Sequence, residues 1–115
     1  MKLYGIPNCS TVKKARTWLD EHGIAYEFHD FKKSGVDQPT LDHWLEQVAW
    51  EKLVNRAGMT WRGLTDAEKA AVQDNASAAA LMRAKTSVIK RPVLVDNGNI
   101  ISLGFDEAVY QNLRK

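Results

Sequence analysis

The sequence predicts a single α/β domain, a mixed sheet flanked by helices with a helical insertion. Three observations lead to this fold class: a strand, turn, helix and strand in succession at the start, a helical block in the middle, and an Asn-Gly pair between two β-branched runs near the end. A chain of 115 residues also fits one hydrophobic core. We therefore expect one domain over 1–115, with its core in 1–37 and 85–115 and the insertion in 38–84.

The first part of the chain indicates a βαβ unit. Leu3, Tyr4 and Ile6 alternate as in a strand that stops at Pro7, and from Ser10 the apolar residues recur at helical spacing until Gly23. Residues 26–31 alternate again and predict a second strand, followed by a loop over 32–35. The connection favours a parallel pair of strands with a right-handed crossover.

The middle of the chain predicts helices. A buried stripe begins after Pro39, which suits a helix start, and 50–54 continue as a short turn or helix. We expect a loop over 56–64, then a helix that starts with a capping box formed by Thr65 and Glu68. An alanine-rich helix over 77–84 ends the block.

The end of the chain predicts a return to the sheet. Val88 and Ile89 are expected to be extended, residues 91–95 form a strand, and Asn97-Gly98 turns the chain back into a strand at 100–101. A closing helix over 106–113 is expected, capped by Asp106.

Composition excludes several classes of function. The net charge is only +2, with 16 basic and 14 acidic residues scattered along the chain, which is too weak a field for nucleic-acid binding. No apolar run approaches the roughly 18–20 residues that span a bilayer. The one cysteine cannot form an internal disulfide, so we expect a reduced compartment, the cytoplasm.

That cysteine, Cys9, stands where the first predicted helix begins. Unpaired amides at a helix N-terminus stabilise a thiolate and lower its pKa, and Lys13 adds positive charge within the first turn. The alternative is an inert, small apolar side chain. Its polar neighbours and its place in a turn favour a reactive thiol, and the residues alone leave both interpretations open.

Other residues indicate packing or solvation. His22, His29 and His43 lack the spacing of metal ligands, so no metal site is expected. Trp18 and Trp44 fall on apolar stripes and are expected in the core.

Several motifs resemble those of one family. The string YGIPNCSTVKKA at 4–15, the pairs WL at 18–19 and GI at 23–24, and RPVLV at 91–95 resemble the arsenate reductase (ArsC)/Spx family, in its small YffB-like branch. The resemblance covers essentially the whole chain. It implies a thioredoxin-like fold with a helical insertion, and a thiol oxidoreductase.

The resemblance also implies roles for individual residues. Cys9 would be the nucleophile, Arg91 would bind an anion, and Pro92 would follow a cis peptide bond beside the cysteine. The residues implied to bind substrate or glutathione are Asn8, Ser10, Thr11, Val12, Lys13, Arg56, Arg91 and Pro92.

The chain departs from the family pattern at two places. Val12 stands where redox-switch members carry a second cysteine, so an external thiol must complete the reaction. No arginine lies in 103–106, where arsenate reductases use a basic residue.

The leading hypothesis is thus a glutathione-dependent thiol reductase. Glutathione would be its co-substrate with no tightly bound cofactor, and glutaredoxin is a further candidate partner. The substrate would be a small oxidised thiol or an oxyanion. Two alternatives remain open: an arsenate reductase coupled to glutathione and glutaredoxin, and an Spx-like regulator that binds RNA polymerase.

Overall fold

The computed structural model describes residues 1–113, and the backbone falls into two compact units. The first unit consists of Met1–Ser34 and the segment that begins at Arg91. The second unit is Gly35–Lys90. The first contains the sheet and the second is mainly helical.

The first unit contains a four-stranded sheet in the order β2-β1-β3-β4. Its strands are β1 (Lys2–Gly5), β2 (Glu27–Asp30), β3 (Val93–Asp96) and β4 (Asn99–Leu103). β1 pairs with β2 in parallel and with β3 antiparallel, and β3 pairs antiparallel with β4. The α/β class with a mixed sheet, and the parallel βαβ unit, are therefore confirmed.

Helix α1 (Ser10–Glu21) connects the two parallel strands. Its apolar positions recur at helical spacing, so one face is buried while Lys13, Lys14 and Asp20 stay exposed. Gly23, with φ of 65°, takes the left-handed conformation that commonly follows a helix. The core beneath the sheet consists of Leu3, Ala15, Trp18, Leu19, Ile24, Leu94 and Tyr110.

The predicted hairpin between β3 and β4 is confirmed. Asn97 and Gly98 have φ of 50° and 80°, as a two-residue turn matched to strand twist requires. The last helix is shorter than predicted: it spans Glu107–Tyr110 instead of 106–113, although Asp106 caps it by accepting the Ala108 amide at 3.1 Å. The Leu113 amide reaches only three residues back, to Tyr110, so the chain leaves the α-helical path.

The second unit contains a series of short helices. The first unit also contains the one-turn helix α2 (Phe31–Ser34) and the last helix, α8 (Glu107–Tyr110). The helices of the second unit are α3 (Gln38–Gln47), α4 (Trp50–Leu53), α5 (Met59–Arg62), α6 (Asp66–Ala70) and α7 (Asn75–Ala84). The Thr65–Glu68 capping box at α6 is confirmed, and Asp74 with Ser77 forms another at α7. Trp44 in this unit and Trp18 in the first are 1% and 8% exposed, so both core predictions are confirmed.

Two segments predicted as loops contain helical turns. The predicted loop at 32–35 is wrong, because α2 begins at the buried Phe31 and the Asp30 carboxylate accepts the Lys32 amide at 2.9 Å. The predicted loop at 56–64 is also wrong, since it contains α5, which starts after Gly58. Helices of four residues are too short to produce an apolar period.

The predicted sheet residues Val88 and Ile89 do not join the four-stranded sheet. Thr86–Val88 form a 3-10 turn, and Ile89 makes an isolated antiparallel bridge with Val54. The backbone groups around them bond within the second unit, where the Lys90 amide donates to Leu53 at 2.8 Å. A β-branched pair in a buried turn therefore has the same sequence pattern as a short buried strand.

We predict that Gly5→Ala lowers the free energy of unfolding by about 1–3 kcal/mol, the usual cost of overpacking a core. The new Cβ would stand 2.8 Å from a methyl carbon of Val12, closer than carbon atoms pack. Urea denaturation measures the loss. The double variant Gly5→Ala/Val12→Ala should lose less than the sum of the single losses, and strict additivity would contradict a direct clash.

Candidate active site

A tight turn places Cys9 at the start of α1. The Cys9 amide donates to the Ile6 carbonyl at 3.2 Å, which closes a β-turn with Pro7 at its second position, where the fixed φ of proline suits the turn. Cys9 then has extended φ and ψ of −96° and 125° as the N-cap residue. Cys9 is half-buried and therefore partly exposed to solvent.

The first turn of α1 favours the thiolate over the thiol. Thr11 and Val12 occupy the second and third helical positions, whose amides a capping side chain faces. Partial burial raises the pKa of the Cys9 thiol, but the Val12 amide, the Arg91 guanidinium and the Thr11 amide outweigh burial and hold the pKa below its ordinary value. Within the described residues the sulfur accepts no full capping hydrogen bond of the kind that Asp37 accepts from the Thr40 amide at 2.9 Å.

Arg91 reaches the thiolate from the neighbouring strand. β3 pairs antiparallel with β1, with Val93 opposite Tyr4, so the residues before β3 lie at the edge of the sheet where β1 ends and Cys9 follows. The guanidinium lowers the pKa of the Cys9 thiol through its capacity to donate a hydrogen bond to the thiolate and through its positive charge. A cation and two amides thus surround one sulfur.

Pro92, which follows Arg91 directly in the chain, is buried. The Arg91-Pro92 peptide bond is cis, as the resemblance implied. The Pro92 carbonyl accepts the Gly104 amide at 2.9 Å, and Gly104 has φ of 77°, a left-handed conformation suited to glycine. The Gly104 contact was not predicted; a glycine directly after a strand was its only sequence signal.

The remaining predicted site residues occupy different surroundings. Asn8, Ser10 and Lys13 are exposed near Cys9, and the Lys13 amide donates to the Cys9 carbonyl at 2.9 Å. Arg56 belongs to the second unit, where it is exposed and its guanidinium lies 5.6 Å from the Trp50 ring centre. Their roles in binding remain predictions.

The histidines contact aromatic or acidic neighbours. His22 stacks on Trp18 with ring centres 3.7 Å apart, His29 lies 4.7 Å from the Tyr4 ring, and His43 is 3.7 Å from the Glu46 carboxylate. Within residues 1–113 no three histidine, cysteine or acidic side chains come together as metal ligands would.

Comparison with known proteins decides the family, since the model of the ArsC family matches residues 4–113. The chain belongs to the ArsC family. A solved structure of a YFFB protein is 49% identical to this ArsC-family chain, with a TM-score of 0.89, and the match covers 96% of this chain and 95% of the other. This neighbour supports the predicted YffB-like branch.

Further relatives carry varied names. An arsenate reductase (ArsC) related protein from Brucella melitensis is 52% identical, with a TM-score of 0.77 and coverage of 96% of this chain and 90% of the other. An uncharacterized protein of Haemophilus influenzae is 38% identical over 95% of this chain and 94% of its own length. The global transcriptional regulator Spx of Streptococcus mutans is 24% identical over 91% of this chain and 76% of its own length.

These comparisons confirm the family and the thioredoxin-like fold class of this ArsC-family protein. They also associate it with thiol oxidoreductases at the level of the family. None of the helices within residues 1–113 has the length and apolar character needed to cross a bilayer.

We predict that Arg91→Met raises the pKa of Cys9, because it removes a hydrogen-bond donor and a positive charge from the thiolate. The rate of iodoacetamide alkylation against pH measures the pKa. Lys90→Met, which removes the same charge one position earlier from an exposed site, is the matched control and should leave the profile nearly unchanged. Equal profiles for Arg91→Met and the wild type would contradict the assigned contact.

Proposed function

We propose that this ArsC-family protein is a glutathione-dependent thiol reductase in which Cys9 is the only nucleophile. The observation that carries the proposal is a partly exposed cysteine whose thiol pKa is held below its ordinary value. The thiolate is the nucleophilic form of cysteine, so a lowered pKa increases the reactive fraction at neutral pH. A glutathione-dependent thiol also requires a reducing compartment, which supports the cytoplasm as its location.

The proposed reaction has two exchange steps. The Cys9 thiolate attacks the glutathione sulfur of a mixed disulfide, forms a bond to it, and displaces the substrate as a thiolate that takes up a proton. A second glutathione thiolate then attacks the Cys9-bound glutathione. Oxidised glutathione leaves and the Cys9 thiolate is restored. Over the cycle the free glutathione is oxidised into that disulfide while the mixed disulfide of the substrate is reduced to a thiol.

The need for an external thiol follows from the composition of the chain. Cys9 is the only cysteine, and Val12, at the position of a second cysteine in related proteins, is fully buried. The amides of Thr11 and Val12 and the Arg91 guanidinium would stabilise the attacking sulfur, and Arg91 would also attract a carboxylate of glutathione. Lys13 and Asn8 line the approach from solvent in this proposal.

Replacement of the nucleophile tests the proposal. Cys9→Ser should abolish reduction of a glutathionylated test disulfide. The reaction is monitored by coupling it to glutathione reductase and measuring the consumption of NADPH. Mass spectrometry of the wild type after exposure to oxidised glutathione should detect one glutathione on Cys9. Full activity of Cys9→Ser, or no adduct on the wild type, would overturn the proposal.

The convergence of two amides and a guanidinium on one position also favours a second candidate, an arsenate reductase coupled to glutathione and glutaredoxin. These are donors that an oxyanion prefers. The name of the Brucella relative is consistent with this candidate.

Arsenate-dependent consumption of NADPH, in the presence of glutathione, glutathione reductase and glutaredoxin, should therefore exceed the rate without the protein. The lack of an arginine in 103–106 predicts that this rate is below that with the glutathionylated disulfide. Arg91→Met should lower it further, and no turnover would eliminate this candidate.

A further inference from the structure

A groove in the first unit runs beside the outer face of α1. Its volume is about 360 Å³, within the range of about 300–1,000 Å³ that small ligand sites occupy. Trp18 and Phe105 supply aromatic surface, and charged side chains of α1 and α8 surround it. The fold thus forms a concave surface with an apolar floor and a charged rim.

The groove begins close to the nucleophile. Lys13 and Thr17 line it, and they follow Cys9 at intervals of four residues, which places them on the same face of the helix. At 1.5 Å per residue, Lys13 is about 6 Å along the axis from Cys9. A substrate held in the groove would therefore bring its disulfide near the sulfur.

Charge is ordered along the groove. Lys13 and Lys14 lie at the end near Cys9, whereas Glu21 lies about 10 Å further along the helix axis, and Glu107 of α8 also borders the groove. Within residues 1–113, none of these four side chains makes an ion pair or a side-chain hydrogen bond. Among the described residues, the cations of Lys13 and Lys14 and the carboxylate of Glu21 are thus available to a ligand at separate places along α1.

We propose that this groove binds the peptide part of the disulfide substrate, as a short extended segment whose charges complement those of the rim. An extended chain advances about 3.3 Å per residue, so an acidic residue about two positions from the substrate cysteine would meet Lys13 and Lys14. A basic residue about three positions further would meet Glu21. The inference rests on the proposed function and names its substrate class: peptides or protein segments with this order of charge.

Isomeric peptides test the order of charge without changing net charge. Each carries one glutathionylated cysteine, an acidic and a basic residue, with the acidic residue either nearer to the cysteine or farther from it. Both isomers are synthesised with the charges before and after the cysteine, because the direction of the chain in the groove is open. The second-order rate of deglutathionylation is measured at low ionic strength.

The wild type should react about threefold to tenfold faster with the isomer whose acidic residue is nearer, in the favoured chain direction, as expected for a few exposed charge pairs. The preference should shrink at high salt, where exposed charges are screened. Equal rates for both isomers in both directions would overturn the inference.

A charge exchange within the groove gives the decisive variant. Lys14→Glu/Glu21→Lys keeps the net charge and changes two exposed side chains, so the fold should persist. It should remove the wild-type preference, because Lys13 then stands beside an introduced carboxylate and no net positive charge remains at the end near Cys9. Lys33→Glu/Glu51→Lys makes the same exchange at exposed positions outside the groove and should keep the wild-type preference. An unchanged preference in the first variant would overturn the inference.

Binding separates failure of the groove from failure of the proposed reaction. If the wild type reduces no glutathionylated substrate, the proposed function falls, and the same peptides with serine for cysteine are titrated against labelled protein by NMR. Shifts of the Lys14, Thr17 and Phe105 amides would support the groove, and their absence would overturn it. Self-association that the Lys14→Glu/Glu21→Lys exchange abolishes would instead assign the groove to a second copy.

Discussion

The thiolate depends on the contact between the end of β1 and the first turn of α1. Because Gly5 has no side chain, the buried Val12 can lie against the strand, and α1 begins directly above the edge of the sheet. The amides of that turn then face Cys9, while the pairing of β3 with β1 brings Arg91 to the same edge. The close contact between Gly5 and Val12 thus brings the first turn of α1 and the Arg91 guanidinium to the same sulfur.

Much of the fold is encoded in local patterns and could be predicted from them. The α1 stripe, the Thr65 capping box and the Asn97-Gly98 turn each depend on residues within a few positions of one another. The failures at 31–34 and Ile89 share a physical cause: Phe31 and the Val54–Ile89 bridge are stabilised by burial against parts of their unit that are distant in sequence, which no short window contains. The helix at 59–62 buries none of its side chains, and its single turn is too short to produce an apolar period.

The candidate site divides in the same way. Cys9 and the amides after it are neighbours in sequence, so helix electrostatics was sufficient to suggest them. Arg91 and Pro92 are far from Cys9 in the chain, and only resemblance to the family indicated that they belong beside it. The sequence around Phe105 did not indicate a groove. The groove depends on contacts between distant parts of the chain, since the hairpin and the packing of Tyr110 on Trp18 bring Phe105 to α1.

The burial of Val12 affects how long an adduct on Cys9 would persist. Once Cys9 carries an adduct, no other thiol exists in the chain to expel it, and the position one helical turn away is closed to solvent. The lifetime of the modified state is therefore set by the concentration of free thiols around the protein. In a depleted pool the adduct would accumulate, so its occupancy would report how much reducing capacity the surroundings retain.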